Sequence, residues 1–184
     1  MASLILAKMW LQDITLVDKD EVEDHNVASQ FYKESQLWET KVSALAQNIF
    51  DFCWVQCKPY NERWTPENAD QFEADIVVLA IDDMDIRREV VEYYKEDMSV
   101  LIVESRMWWE DYIIHTFYPF VMYYQWLWTW FPQAEADPVI CTEKAICFNT
   151  ALIAWEIGKI IKNHIMNITV PFVTSNMEQG DFTL

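Results

Sequence analysis

The sequence predicts an α/β fold, in which helices cover both faces of a doubly wound, mostly parallel sheet. Two observations predict it. Helical and strand-like segments alternate along the 184 residues, and such alternation is typical of parallel sheets. Ala74–Ile81 is also a largely apolar run rich in β-branched residues, as expected of a parallel strand that is buried on both faces.

Before that run, apolar spacing predicts a helix, a strand, a second helix and a second strand. The helices have apolar residues three and four positions apart, and they cover Ser3–Leu11 and Gln36–Phe52. The strands are short, and they cover Asp13–Asp18 and Cys53–Cys57. A loop is predicted at Pro59–Asn68, between the second strand and the apolar run.

After the run, the alternation continues to the end of the chain. Two further helices are predicted at Met84–Lys95 and Thr142–His164. Strands are predicted at Ser99–Val103, Tyr112–Phe117, Asn167–Val173 and Asp181–Leu184. Because the sequence has no internal repeat and no low-complexity linker, we expect one domain over residues 1–184.

Charge and composition exclude several classes of partner. The chain has 13 basic and 30 acidic residues, a net charge of −17, so it repels phosphate backbones and we expect no nucleic-acid partner. Ile113–Phe131 lacks Asp, Glu, Lys and Arg, but it contains polar residues and its flanks are acidic, so we expect no membrane partner. No signal-peptide pattern opens the chain, and we expect a cytoplasmic protein with reduced thiols.

Two predicted strands end in a carboxylate. Asp18 closes the strand at Asp13–Asp18, and Asp82 directly follows the run at Ala74–Ile81. Ligands of doubly wound sheets bind at the carboxyl ends of the strands, which makes this pair a candidate site. Both residues could equally be N-caps of the helices that follow.

Three segments in register resemble the ThiF/MoeB/HesA family of ubiquitin-activating-type adenylyltransferases. They are ITLVDKDEVEDHNVASQ around Asp18, ADIVVLAIDDMDIR around Asp82, and PVICTEKAI around Cys141. Their order and spacing agree with the family from Ser3 to about Ile165. The resemblance implies a Rossmann-like fold and the binding of ATP with Mg²⁺.

The resemblance also implies a role for each matching residue. It assigns Asp18 to the ATP ribose, Asn26, Gln30, Lys41 and Arg87 to the phosphates, and Asp82 to Mg²⁺ and the α-phosphate region. The implied reaction is attack by a carboxylate on the α-phosphate of ATP, which gives an acyl-adenylate and pyrophosphate while positive groups offset the developing charge. The implied substrate is the C-terminus of a ubiquitin-like protein or peptide, and the implied assembly is a homodimer.

Cys141 is the candidate nucleophile for a later transfer step. It lies at the predicted start of the long helix, where a thiolate is favoured. It could also be a small buried hydrophobic residue. The other cysteines, Cys53, Cys57 and Cys147, are assigned to the core.

Three departures from the family pattern stand out. Ser29 occupies the position of a family arginine. The zinc cysteines of several members are absent, so no zinc is expected. The first strand and the Gly-rich turn of the family, which supplies backbone N–H groups to phosphates, are expected to be missing before Ser3, so that the sheet has a gap between the strands ending at Asp18 and Asp82.

Two other functions remain open. One is a ThiF-like pseudoenzyme, a partner subunit that binds a ubiquitin-like protein without catalysis. The other is a dinucleotide-binding oxidoreductase, in which Asp18 would also bind a ribose. An oxidoreductase has no need of the set formed by Asn26, Gln30, Lys41 and Asp82.

The glycine and tryptophan contents are unusual. The chain has 2 Gly and 10 Trp, whereas an ordinary chain of this length has about 13 Gly. Tryptophan stands where similar family members have glycine, at Trp10, Trp38, Trp108, Trp109 and Trp155. UGA codons that mean glycine but are read as tryptophan would produce this pattern, and so would deliberate redesign. We expect the chain with these tryptophans to fold poorly or to bind no ATP.

Overall fold

The structure, a computed structural model, describes residues 1–108, 111–135 and 147–177. The helices are α1 (Ala2–Lys8), α2 (Asp24–Ser29), α3 (Lys41–Cys53), α4 (Met84–Tyr93), α5 (Pro119–Leu127) and α6 (Cys147–Ile165). The strands are β1 (Thr15–Val17), β2 (Lys58–Tyr60), β3 (Ile76–Leu79), β4 (Leu101–Trp108), β5 (Asp111–Phe117) and β6 (Val173–Ser175). The chain divides into two compact units, a first unit of Met1–Trp64 with Ile140–Ile161 and a second unit of Thr65–Val139 with Lys162–Leu184.

The first unit is built around the parallel pair of β1 and β2, in which Leu16 is opposite Pro59. Helix α3 begins at the N-cap Thr40, whose side chain accepts a hydrogen bond from the Ser43 N–H. Helix α6 passes α1 closely at Gly158, where a Cβ atom would lie 2.9 Å from Ile5 Cγ2. The core of this unit consists of apolar residues from these elements and the segments between them, including Leu4, Ile14, Val22, Ile49, Val55 and Ile157.

The second unit is built around a four-stranded sheet in the order β3-β4-β5-β6. Strands β3 and β4 are parallel, with Ile76 opposite Leu101, whereas β4 and β5, and β5 and β6, are antiparallel. The inner strands supply fully buried residues such as Ile102, Val103 and Ile114. Helix α4 follows β3 directly and begins at the N-cap Asp83.

The α/β class with parallel strands is confirmed. Most predicted elements occur close to their expected bounds, but the strand predicted at Cys53–Cys57 is wrong, because α3 continues to Cys53 and β2 begins at Lys58. The helix expected from Gln36 starts only at Lys41, and β4 extends five residues past the predicted end at Val103. The strand predicted at Asn167–Val173 is wrong except at its last residue, because β6 covers Val173–Ser175. The strand predicted at Asp181–Leu184 lies outside the described residues.

The stretch without charged residues, Ile113–Phe131, falls on β5 and the nine-residue helix α5. Among the described residues, no helix has both the length and the apolar character that crossing a membrane requires. Strand β1 belongs to the two-stranded sheet and β3 to the four-stranded sheet, so these two strands are not neighbours in one described sheet.

Candidate functional site

The candidate residues fall on both units. Asp18, Asn26, Gln30 and Lys41 belong to the first unit, and Asp82 and Arg87 belong to the second. Cys141 lies outside the described residues.

In the first unit, Asp18 and Lys41 lie in one polar cluster at the end of β1. The turn after β1 is closed by the Asp20 N–H, which donates to Asp18 Oδ1 at 2.8 Å. The Lys41 ammonium is mostly buried and lies 3.0 Å from Asp20 Oδ2. The Tyr32 hydroxyl donates to the Lys41 carbonyl at 3.4 Å, and burial, together with the charge of Asp18, raises the pKa of Tyr32.

Asn26 is buried and stabilises the start of α2. Its side-chain oxygen accepts a hydrogen bond from the Glu23 N–H at 3.0 Å, and the Glu23 side chain accepts one from the Asn26 N–H, which completes a capping box. Gln30 directly follows α2, and its side chain is exposed. Asn26 therefore has a structural role that the family resemblance did not imply.

Ser29, in the position of a family arginine, is buried. Its hydroxyl donates to the His25 carbonyl at 2.8 Å, and its carbonyl accepts from the Thr150 hydroxyl at 2.9 Å. Cys147, which was predicted to lie in the core, is exposed, while Cys53 and Cys57 are half-buried. Burial, followed by the nearby Cys53, raises the pKa of Cys57 to about 11, so Cys57 is not activated as a thiolate.

A buried amide pair that sequence reasoning missed holds the segment between α2 and α3. The side-chain amides of Gln36 and Asn48 exchange two hydrogen bonds of 3.0 Å. Asn48 Nδ2 also donates to the Phe31 carbonyl at 2.8 Å. The bond to Phe31 positions the next residue, Tyr32, whose hydroxyl donates to the Lys41 carbonyl. The amide pair therefore supports the cluster around Lys41. The only signal in the sequence was two amide side chains within a helix-like pattern.

In the second unit, Asp82 and Asp83 follow β3 and differ in their surroundings. Asp83 is the N-cap of α4, and its Oδ1 accepts from the N–H groups of Asp85 and Ile86 at 2.9 and 3.0 Å. Asp82 is exposed. Asp83 is therefore the N-cap of α4, and the cap interpretation of Asp82 is wrong. For Asp18 it is also wrong, because the N-cap of α2 is Glu23.

Arg87 is buried and joins the end of β3 to β4. Its guanidinium donates to the Ile81 carbonyl, to the Ser105 carbonyl at 2.7 Å and to Glu104 Oε1 at 3.1 Å. Burial lowers the pKa of Arg87, and the charges of Glu104 and Asp82 oppose that effect. Its ion pair with Glu104 is a contact that the family resemblance did not imply.

Glu104 is the centre of a buried charged cluster that the sequence did not reveal. Four side chains donate to its carboxylate at 2.9 to 3.1 Å: Arg87, Arg106, His115 and Trp126. Burial by itself raises the pKa of a carboxyl group, but the His115 hydrogen bond and the two arginine charges outweigh it and hold the pKa of Glu104 far below its usual range.

The described residues contain no group of three or more His, Cys, Asp or Glu side chains that could hold a metal ion by itself. Mg²⁺ in nucleotide sites commonly needs only one or two protein carboxylates, because phosphates and water supply the other ligands. The exposed carboxylate of Asp82 fits that type of site.

The ThiF family model matches residues 1–119 of the chain. No curated protein sequence matches the chain. Among solved structures, PaaA is similar at a TM-score of 0.71 and 14% identity, over 97% of this chain and 57% of PaaA. Escherichia coli MccB with AMPCPP and MccA is similar at a TM-score of 0.58 and 18% identity, over 86% of this chain and 52% of MccB.

A third similar structure is Escherichia coli TcdA, a tRNA N6-threonylcarbamoyladenosine dehydratase. Its TM-score is 0.52 and its identity 22%, over 56% of this chain and 45% of TcdA. At these identities the likeness concerns the fold. The chain spans about half the length of these three proteins.

Proposed function

The chain belongs to the ThiF family, and on that basis we propose that it is an adenylyltransferase. It uses ATP to adenylate the C-terminal carboxylate of a peptide or ubiquitin-like protein, and it releases pyrophosphate. The observation that carries the proposal is that the family match over residues 1–119 includes all six candidate nucleotide residues, from Asp18 to Arg87.

Structures of a similar protein support the nucleotide and the kind of partner. MccB has been crystallised with ATP and with AMPCPP and MccA. By analogy, the partner of this chain is a peptide or small protein that presents a carboxylate. We further propose that the partner is ubiquitin-like, that the chain forms a homodimer and that it is located in the cytoplasm.

In the first unit, Asp18 and Lys41 would bind the nucleotide. A carboxylate at the end of β1 is suited to accept hydrogen bonds from ribose hydroxyls. The Lys41 ammonium is a compact positive charge that suits phosphate oxygens. Because it lies 3.0 Å from Asp20 Oδ2, ATP binding would require Lys41 to exchange that carboxylate for a phosphate.

In the second unit, Asp82 would hold Mg²⁺ together with the phosphates. Bound there, the ion would offset charge on the phosphoryl oxygens. Arg87 donates to the carbonyl of Ile81, directly before Asp82, and this bond supports a positioning role for Arg87. Its contact with phosphates remains a prediction.

The test is ATP–pyrophosphate exchange with peptide and ubiquitin-like partners. We expect Asp82→Ala to abolish exchange without loss of stability, because Asp82 is exposed and its role is electrostatic. Glu89→Ala, which removes an exposed carboxylate from the following helix α4, is the matched control and should retain exchange. Near-normal exchange by Asp82→Ala at saturating Mg²⁺ would contradict the assignment.

The same assay separates the alternatives. Partner binding without exchange, both by the unaltered chain and by a variant with glycine at residues 10, 38, 108, 109 and 155, would support the pseudoenzyme. Binding of a nicotinamide dinucleotide with hydride transfer would support the oxidoreductase.

Cys141 would act only after adenylation. We expect Cys141→Ala to retain exchange and to lose any thiol-dependent transfer, because adenylation needs no protein nucleophile. Cys147→Ala, at an exposed thiol, is the control and should retain both. Loss of exchange in a folded Cys141→Ala protein would make Cys141 structural. If native mass spectrometry detects no thioester or persulfide adduct, we infer that the reaction ends at the adenylate.

A further inference from the structure

Three tryptophans have a backbone conformation that favours glycine. In the described part of the chain, residues other than glycine have positive φ at Trp10, Trp38, Trp54 and Asn167, with values of 72°, 70°, 61° and 55°. Asparagine tolerates this region, whereas it is an outlier for bulky residues because Cβ approaches the following carbonyl. Trp54 was not singled out from the sequence.

Trp10 occupies the glycine position of a Schellman motif. After α1, the Trp10 N–H donates to the Ala7 carbonyl at 3.0 Å and the Leu11 N–H donates to the Leu6 carbonyl at 3.2 Å. These two bonds define the motif, and its left-handed residue is usually glycine.

Trp38 occupies the glycine position of a type II turn. The turn runs from Gln36 to Glu39 and is closed by the Glu39 N–H, which donates to the Gln36 carbonyl at 3.1 Å. Leu37 has φ −52° and ψ 133°, the values of the second residue of a type II turn. The third residue, here Trp38, then requires positive φ and is typically glycine.

Trp54 ends α3 in the left-handed conformation, with φ 61° and ψ 21°. Its N–H donates to the Phe50 carbonyl at 2.9 Å. A residue in this conformation at the end of a helix is again most often glycine. The three tryptophans thus occupy three separate turns, each of which usually has glycine at that position.

The indole rings at these positions are also largely in solvent. Trp10, Trp38 and Trp54 are 84%, 72% and 83% exposed. Trp126, by contrast, is fully buried, donates to Glu104 at 3.0 Å and stacks on Phe117. Trp130 donates to the Met84 carbonyl at 2.7 Å. The chain therefore has two kinds of tryptophan. Trp126 and Trp130 have hydrogen-bonded rings, whereas Trp10, Trp38 and Trp54 have exposed rings and positive φ.

We propose that the gene specifies glycine at residues 10, 38 and 54, through UGA codons that its organism reads as glycine, and that UGG encodes tryptophan at residues 126 and 130. These three changes would turn the count of 2 Gly and 10 Trp into 5 Gly and 7 Trp, which is closer to the ordinary glycine content. This inference is independent of the adenylation chemistry.

The codons and the native protein test the proposal directly. We expect UGA at residues 10, 38 and 54 and UGG at residues 126 and 130, and peptide masses from the source organism should show glycine at the first three. UGG at any of those three positions, or tryptophan in the native peptides, would overturn the proposal. A deliberately redesigned gene would give this result, because it would encode the tryptophans with UGG.

Stability measurements test its physical basis. Each of Trp10→Gly, Trp38→Gly and Trp54→Gly should raise Tm by about 2–4 °C, since glycine relieves the left-handed conformation. Alanine at the same positions keeps the Cβ atom and should leave Tm within about 1 °C. Trp126→Gly is the matched control and should lower Tm. Glycine variants that are no more stable than the alanine variants would overturn the proposal.

Discussion

At the scale of single residues, Glu104 has the largest expected effect on stability. Its carboxylate is fully buried and forms ion pairs with two buried arginines, Arg87 and Arg106. We expect Glu104→Gln to lower the free energy of unfolding by about 3–5 kcal/mol, because both arginine charges lose their buried counter-ion. Chemical denaturation measures this change.

The control for Glu104 is an exposed ion pair. Asp13 Oδ1 lies 2.6 Å from Lys58 Nζ, and both side chains are exposed, so Asp13→Asn should cost about 1 kcal/mol or less. Equal losses in the two variants would contradict a special role for the buried cluster.

The lowered pKa of Glu104 makes its contribution depend on pH. Because the pKa is lower in the folded than in the unfolded state, the stabilisation is complete above the unfolded value of about 4.3 and is lost as pH falls through the folded value. The difference in unfolding free energy between the unaltered chain and Glu104→Gln should therefore be constant from about pH 6 to 8 and shrink below about pH 4. A difference that stays constant at low pH would contradict this assignment.

At the scale of elements, Asp82 and Asp83 have separable roles. Asp83→Ala removes the N-cap of α4, whose two hydrogen bonds are 2.9 and 3.0 Å long, and should cost about 1 kcal/mol. Asp82→Ala, at the exposed neighbouring position, should change stability by about 0.5 kcal/mol or less. Thermal unfolding of both variants measures the difference. A larger loss of stability in Asp82→Ala than in Asp83→Ala would contradict the assignment of Asp83 as the N-cap.

The bounds of elements depend on contacts that local patterns do not contain. Strand β4 extends past its apolar run through Glu104 and Arg106, because Arg87 of α4 pairs with Glu104 and Glu104 also pairs with Arg106 on the same strand. Helix α3 starts later than expected because Gln36 bonds to Asn48 and Trp38 has positive φ. The hydrophobic period alone predicts helix and strand type but not these bounds.

At the scale of the whole molecule, the net charge of −17 should dominate the response to salt. Thirty acidic residues against 13 basic ones repel each other more than their ion pairs attract. Between about 0.01 and 0.3 M NaCl, screening should raise Tm by about 2–4 °C. Differential scanning calorimetry measures this shift.

Choline chloride at the same ionic strength is the control for specific cation binding. Screening requires the same rise in both salts. A rise with NaCl only would indicate a bound cation, and a falling Tm would show that attractive pairs dominate.

The sequence by itself determined the α/β class, the order of most elements and the positions of Asp18 and Asp82 at strand ends. These features are local, because an apolar run, a helical period or an acid after a strand is complete within a few neighbouring residues. The family resemblance rested on three such segments, and the ThiF family match over residues 1–119 contains the two around Asp18 and Asp82.

Only the tertiary structure decided which of these residues are already engaged. Glu104 receives hydrogen bonds from Arg87, His115 and Trp126, which are 17, 11 and 22 positions away in the chain, and no local pattern pairs them. The same holds for Gln36 with Asn48 and for Lys41 with Asp20. Burying a charge or an amide is favourable only where folding brings its partner within hydrogen-bonding distance, and that distance is a property of the folded chain.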